Sequence, residues 1–190
     1  MRDTPPAWDV VREVTALSSR HRLPIASHDD DTRQKVALMA EMGATISEFP
    51  VTLEAAEEAK RRGMHVVMGA PNALRGGSHS GNLSALDAIA AGLVDMLAAD
   101  YHPAALLQAA YALVRRGALP LHAAVRLITQ NVAEALGLRE RGVIAERHYA
   151  DFAFVEEGPL RPRVRGALRN GQFIYLDRTL AARRKHATHG

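Results

Sequence analysis

The sequence predicts an α/β chain in which parallel βαβ units are followed by a small β segment. Three observations carry that reading. Short apolar, strand-like runs alternate with helical patterns four times between Leu23 and Arg116. Gly43, Gly63 and Gly92 each stand where a helix must end before the next strand begins. After Gly137 the texture changes to short β runs separated by turns. Four βα units are half of an eight-stranded barrel, and an open four-stranded parallel sheet is the competing architecture. In both, active sites lie at the C-terminal ends of the strands.

Residues 8–19 read as an amphipathic helix, with Trp8, Val11, Val14 and Leu17 at helical spacing. The repeat then begins. A strand at 23–27 precedes a helix at 32–42, and a strand at 45–49 precedes a helix at 53–62. The third strand, 65–68, runs into a glycine-rich loop before a helix at 83–91. The fourth, 94–98, leads to an alanine-rich helix at 104–116. Helices at 121–129 and 132–136 follow, with Gly137 as a stop. Short β runs are expected at 142–145, 150–155, 164–168 and 172–176. The residues after Asp177 form a basic tail.

At 190 residues, with 47% hydrophobic residues, the chain holds one medium domain plus a small appendage. No apolar run is long enough to cross a bilayer and the N-terminus does not read as a signal peptide, so a cytoplasmic location is expected. The absence of cysteine excludes disulfides and thiolate metal sites, leaving His, Asp and Glu as ligands. The net charge of +3 comes from scattered arginines, and aromatics are only 5%, so solvated arginines are favoured over a nucleic-acid surface.

The stretch from Met68 to Asn82 concentrates chemistry. Pro71, Gly76, Gly77 and Gly81 oppose a helix there, while Asn72, Arg75, Ser78, His79, Ser80 and Asn82 are groups suited to an anion or a metal. Backbone N–H groups of a glycine-rich loop converge on phosphate oxygens, and an arginine adds a bidentate contact. A solvated surface loop explains the glycines and serines but not the arginine, histidine and two asparagines, so phosphate is the expected ligand.

Histidines and carboxylates also stand just past successive strands. His28 follows the first, with Asp29, Asp30 and Asp31 behind it. One of these aspartates is placed to accept the second ring N–H of His28, as the partners of metal-bound histidines do. Asp31 or Thr32 is equally suited to N-cap the next helix. Glu48 ends the second strand and is open to three roles: metal ligand, partner of Arg75, or solvated carboxylate. Asp100 closes the fourth, too early to cap the helix near Pro103, and a carboxylate there suits a metal ligand that also takes a proton from water. His102 and His122 are expected to be structural or exposed.

Taken together, Ala26-Ser-His-Asp-Asp30, Glu48-Phe-Pro50, Met68-Gly-Ala-Pro-Asn72, Arg75-Gly-Gly-Ser-His-Ser-Gly-Asn82 and Ala99-Asp-Tyr101 resemble the α-D-ribose 1-methylphosphonate 5-triphosphate diphosphatases, a family of the metal-dependent amidohydrolase superfamily serving the carbon–phosphorus lyase pathway. The segment Thr129-Gln-Asn-Val-Ala-Glu-Ala-Leu-Gly-Leu138, then Arg141-Gly142 and Ala150-Asp151, resembles the superfamily's passage from barrel to β-sandwich. Val132 and Arg147-His-Tyr149 depart from the usual pattern without touching the chemistry.

The resemblance implies hydrolysis of a ribose 5-triphosphate with release of diphosphate. It makes His28 the metal ligand from the fifth barrel strand and Asp100 the eighth-strand carboxylate that activates water, itself a ligand. Arg75, Ser78, His79, Ser80 and Asn82, with Asn72, would hold the triphosphate or the phosphonate. Relatives place a histidine where this chain has Glu48, which is then the third metal ligand. A divalent ion is implied, zinc or manganese first and iron also compatible with such donors.

Relatives also bring a His-x-His pair from the first strand and a bridging lysine, and no His-x-His precedes His28 here. A full barrel takes roughly 250 residues. The expected architecture is therefore half of a TIM (β/α)8 barrel, strands five to eight, over residues 1–137. A small β-sandwich segment follows at 138–178 and a basic tail at 179–190. Such a half exposes an apolar interior and two sheet edges, and is expected to need an N-terminal half or a second copy for activity. No membrane or nucleic-acid partner is expected. The other readings are a non-catalytic phosphate-binding module and a cyclic-amide amidohydrolase. The first needs no metal; the second needs fewer anion-binding groups.

Overall fold

The computed structural model describes residues 7–77 and 81–178. Helix α1 (Trp8–Arg20) precedes the repeats β1 (Ala26–His28), α2 (Arg33–Glu41), β2 (Ile46–Glu48), α3 (Leu53–Arg61) and β3 (His65–Gly69). Then come α4 (Ala70–Arg75), α5 (Ala85–Ala90), β4 (Met96–Ala98) and α6 (Ala105–Arg115). Helices α7 (Leu121–Arg126) and α8 (Gln130–Ala135) lead to β5 (Phe152–Glu156), β6 (Arg163–Arg169) and β7 (Gln172–Leu176).

The first four strands form a parallel sheet in the order β1-β2-β3-β4. Each connection steps one place in the same direction, without the reversal that marks a doubly wound sheet. Local chemistry sets the helix ends. Thr32 Oγ1 accepts the N–H of Lys35 at 3.3 Å, and Thr52 Oγ1 that of Ala55 at 3.2 Å. Gly43 and Gly63 stop α2 and α3 at φ 96° and 75°, a left-handed conformation that costs glycine little.

Strand alternation divides the core. Met68 and Leu97 pack with the buried alanines of α4, α5 and α6. Val66 packs against Val36 of α2 and against Ala55, Ala56 and Ala59 of α3, whose small side chains let that helix close on the sheet. On the opposite face Ile46, Val67 and Met96 are buried beneath Phe49, Val132 and Ala135. The expected bare apolar interior is therefore corrected in part: α8 covers its middle, because Val132 and Ala135 share one helical face.

Two further expectations change. Residues 70–75 are helical, although glycines and Pro71 argued against it. Proline is tolerated at the start of a helix, where its missing N–H has no partner to lose, and Gly76 ends the helix at φ 85°. No strand forms at 142–145, where Gly142 turns the chain at φ 87°. In α1 the apolar stripe stays largely open among the described residues: Trp8 and Val11 are half-buried, Val14 and Leu17 remain more than half exposed, and no residue of the helix is buried.

Strands β5, β6 and β7 make a separate antiparallel meander. Asn170 and Gly171, both left-handed, form the tight β6–β7 hairpin. Arg165 fastens the sheet by pairing with Glu156 and Asp177. The expected basic tail at 179–190 lies outside the described residues.

Candidate active site

Past the C-terminal ends of the parallel strands the backbone turns sharply. Asp29, Phe49 and Asp100, each just beyond a strand, have φ of 55°, 55° and 53°. Non-glycine residues seldom adopt this region, and a phenylalanine there is costly enough to need support from its surroundings. Such residues cluster where a fold holds side chains for function. The turns are tied across the sheet by Asp29 N–H to Glu48 O at 3.0 Å and Phe49 N–H to Val67 O at 2.9 Å.

His28 and Glu48 stand side by side, because β1 and β2 pair with these residues in register. His28 Nε2 lies 3.9 Å from Glu48 Oε2, and Nδ1 lies 3.1 Å from Asp29 Oδ2. Asp29 thus stands beside Nδ1, where it can set the tautomer, and Glu48 beside Nε2. The Phe49 ring meets the imidazole edge-on at 5.2 Å between centroids. Asp30 is fully buried and accepts a hydrogen bond from the Ser27 hydroxyl at 2.5 Å, with Lys35 Nζ 3.6 Å from its other oxygen. Of the three aspartates, Asp29 supports the histidine, Asp30 anchors the turn, and Thr32 rather than Asp31 caps the helix.

Beside this pair opens a cavity of about 190 Å³, lined among others by Phe49, Asn72, Arg75, Asn82, Asp100 and Tyr101. Arg75 donates to the Tyr101 hydroxyl at 3.2 Å, and among the described residues no ion pair joins it to Glu48. Asn72 is largely spent on structure: its Nδ2 donates to Leu83 O, and its Oδ1 accepts from Ala85 N, both at 3.1 Å. Arg116 donates to the carbonyls of Ala73 and Leu74 at 2.6 and 2.7 Å, closing the end of α4 from which Arg75 projects. Asp100 is exposed, and its carboxylate has no hydrogen-bond partner among the described residues. His102 and His122 are exposed, and Ser78, His79 and Ser80 lie outside the described residues.

The structure thus brings together His28 with Glu48, and Arg75 with Asn82 and Asp100, but not all three expected metal ligands. Among the described residues no three His, Asp or Glu side chains form a metal-sized cluster. The reason is spacing: β1 and β4 stand three strands apart, roughly 14 Å in a flat sheet. Two tetrahedral donors on one ion, at bonds of about 2.0–2.2 Å, fall roughly 3.3–3.6 Å apart, so the 3.9 Å between His28 and Glu48 is a few tenths of an ångström wider than such a pair. Sequence reasoning passed over Phe49 and Tyr101 as site residues. Both directly follow a strand-ending carboxylate, a position that could have marked them.

Parallel strands stepping one way carry a histidine and carboxylates at their C-terminal ends, where parallel α/β folds place their active sites. Residues 3–175 match the sequence profile of the amidohydrolase family, and the chain belongs to that family. It is 42% identical over 164 residues to the alpha-D-ribose 1-methylphosphonate 5-triphosphate diphosphatase of Escherichia coli (strain K12), across 85% of this chain and 43% of that protein. The chain therefore spans less than half the length of this relative. Among solved structures, A. niger ochratoxinase superimposes with a TM-score of 0.62 at 19% identity, over 88% of this chain and 46% of that one. The 5-methylcytosine deaminase of Klebsiella pneumoniae, liganded with 5-fluorocytosine, gives 0.59 at 16%, over 89% and 52%. At such identities the likeness concerns the fold.

Proposed function

We propose that this chain carries the C-terminal half of a metal-dependent diphosphatase barrel, strands five to eight, acting on α-D-ribose 1-methylphosphonate 5-triphosphate in phosphonate breakdown. The carrying observation is the His28 Nε2–Glu48 Oε2 pair at 3.9 Å beside a cavity that holds Arg75, Asn82 and Asp100. The diphosphatase relative supports the substrate. The single-direction strand order supports the half-barrel.

In this reading His28 and Glu48 hold a divalent ion, zinc or manganese, with Asp29 fixing the imidazole tautomer. Closing the barrel with four further strands curves the sheet and brings Asp100 toward them as third ligand. The ion, when bound, supplies an activated water and polarises the phosphoryl oxygen. Asp100, exposed and without a hydrogen-bond partner among the described residues, accepts the proton that the attacking water loses. Arg75 and Asn82 bind phosphate oxygens and neutralise charge on the departing diphosphate, with Ser78, His79 and Ser80 assigned to the same loop from the sequence. Phe49 shields one side of the imidazole from water.

The test is diphosphate release from the ribose triphosphate with added zinc or manganese. The chain alone is expected to release none. Mixed with the N-terminal portion of the Escherichia coli relative, it is expected to become active, and Asp100→Asn to abolish that activity. Activity that survives Asp100→Asn would remove Asp100 from the chemistry. No activity in any mixture would overturn the reading.

A further inference from the structure

We propose that Tyr101 is a second anion-binding residue, donating its phenolic O–H to the phosphate group that Arg75 holds. The proposal rests on the phosphate-site reading above and adds to it a residue outside the glycine-rich loop.

The geometry begins with the turn after β4. Asp100 at φ 53° and the His102 N–H to Ala99 O bond at 3.0 Å fold residues 99–102 tightly. Tyr101 therefore reaches across the cavity to α4 instead of packing on the sheet, and it stays 71% exposed. An aromatic ring left in solvent contributes little to the core, so packing does not account for its placement. Its hydroxyl is nonetheless held, accepting from Arg75 Nη1 at 3.2 Å. A phenol oxygen that accepts one bond still has its own proton to give, and among the described residues that proton has no acceptor. Arg75 likewise keeps further N–H donors. Two donors thus converge on one cavity from separate elements, with Arg116 fixing the α4 side through the carbonyls of Ala73 and Leu74.

A neutral O–H beside a guanidinium suits an anion with several oxygens, since each donor takes its own acceptor. Carboxylates bordering the cavity, Asp29 and Asp100, disfavour anions that bind without directed hydrogen bonds.

The experiment is calorimetric titration of the full chain with inorganic diphosphate at fixed ionic strength. It compares wild type, Tyr101→Phe, Arg75→Met and the double variant, with circular dichroism melts to show that each is folded. Tyr101→Phe is expected to weaken binding about 10-fold, the scale of one hydrogen bond to a charged group. A further several-fold loss is expected when the same change is made on Arg75→Met. Unchanged binding in Tyr101→Phe, with a loss in Arg75→Met, overturns the role of Tyr101 and leaves the phosphate site standing. A loss that appears only while Arg75 is present makes Tyr101 a positioning residue and overturns direct contact. No binding by wild type overturns the phosphate-site reading, and this proposal with it.

Discussion

At the scale of single residues the account turns on side chains held in an unfavourable backbone region. Asp100 is the clean test, because its side chain has no hydrogen-bond partner to confuse the result among the described residues. At φ 53° a β-carbon is penalised and glycine is not. Asp100→Gly is therefore expected to be more stable than Asp100→Ala by about 1 kcal/mol, read from urea midpoints, although both lose the carboxylate. His28 makes the complementary prediction. If His28 holds a metal as proposed, removing its Asp29 neighbour costs roughly 10–100-fold in affinity, so Asp29→Ala should weaken zinc by about that factor and His28→Ala by more. Titration of zinc against the folded variants checks both. His28, Glu48 and Asp100 were legible as candidates because each follows an apolar run, but which aspartate serves His28 was not. That choice depends on the turn at Asp29, which buries Asp30 against Ser27 and leaves Asp29 beside the ring.

Among the elements, α3 shows how charge pairs within a helix fasten its last turn. Glu58 is nearly buried and accepts from Arg61 and Arg62 at 2.5 to 2.7 Å. Hydrogen bonds from Arg61 and then Arg62 hold its carboxyl down from 4.5 to about 2. The folded value is the lower one, so the stabilisation is complete above pH 4.5 and is lost as pH falls toward 2. Wild type should thus exceed Glu58→Gln in urea midpoint at neutral pH, and the gap should close between those limits. Helix α4 gives a second case. Arg116→Met leaves the carbonyls of Ala73 and Leu74 without their charged donor and should cost about 1.5–3 kcal/mol, with faster amide exchange in α4. Helix α4 was also where sequence reasoning failed, since proline and glycine were read as breakers. Their order matters: proline opens this helix and glycine closes it. Periodicity and caps made the other β/α elements readable, with ends displaced by at most three residues, because local patterning does not say where strand pairing and helix hydrogen bonds stop.

Over the whole molecule, the parallel sheet was foreseen from the strand–helix alternation, and a β segment from the change of texture near Gly137, where three of the four expected runs form strands, in one antiparallel sheet. The coverage of the second sheet face by α8 was not, because nothing local in Val132 or Ala135 says which surface they meet. In the half-barrel reading, the exposed stripe of α1 is a surface for the missing half. Val14→Ser with Leu17→Ser should then change the stability of this chain by under about 0.5 kcal/mol, while reducing activity regained with an N-terminal partner.

The central claim is that His28 and Glu48 mark a metal site at the mouth of a barrel. Anomalous scattering at the zinc edge, from crystals of the chain grown with zinc and diphosphate, tests it most directly. The account predicts a peak within bonding distance of both His28 Nε2 and Glu48 Oε2. Zinc bound elsewhere, with that pair bare, would contradict it.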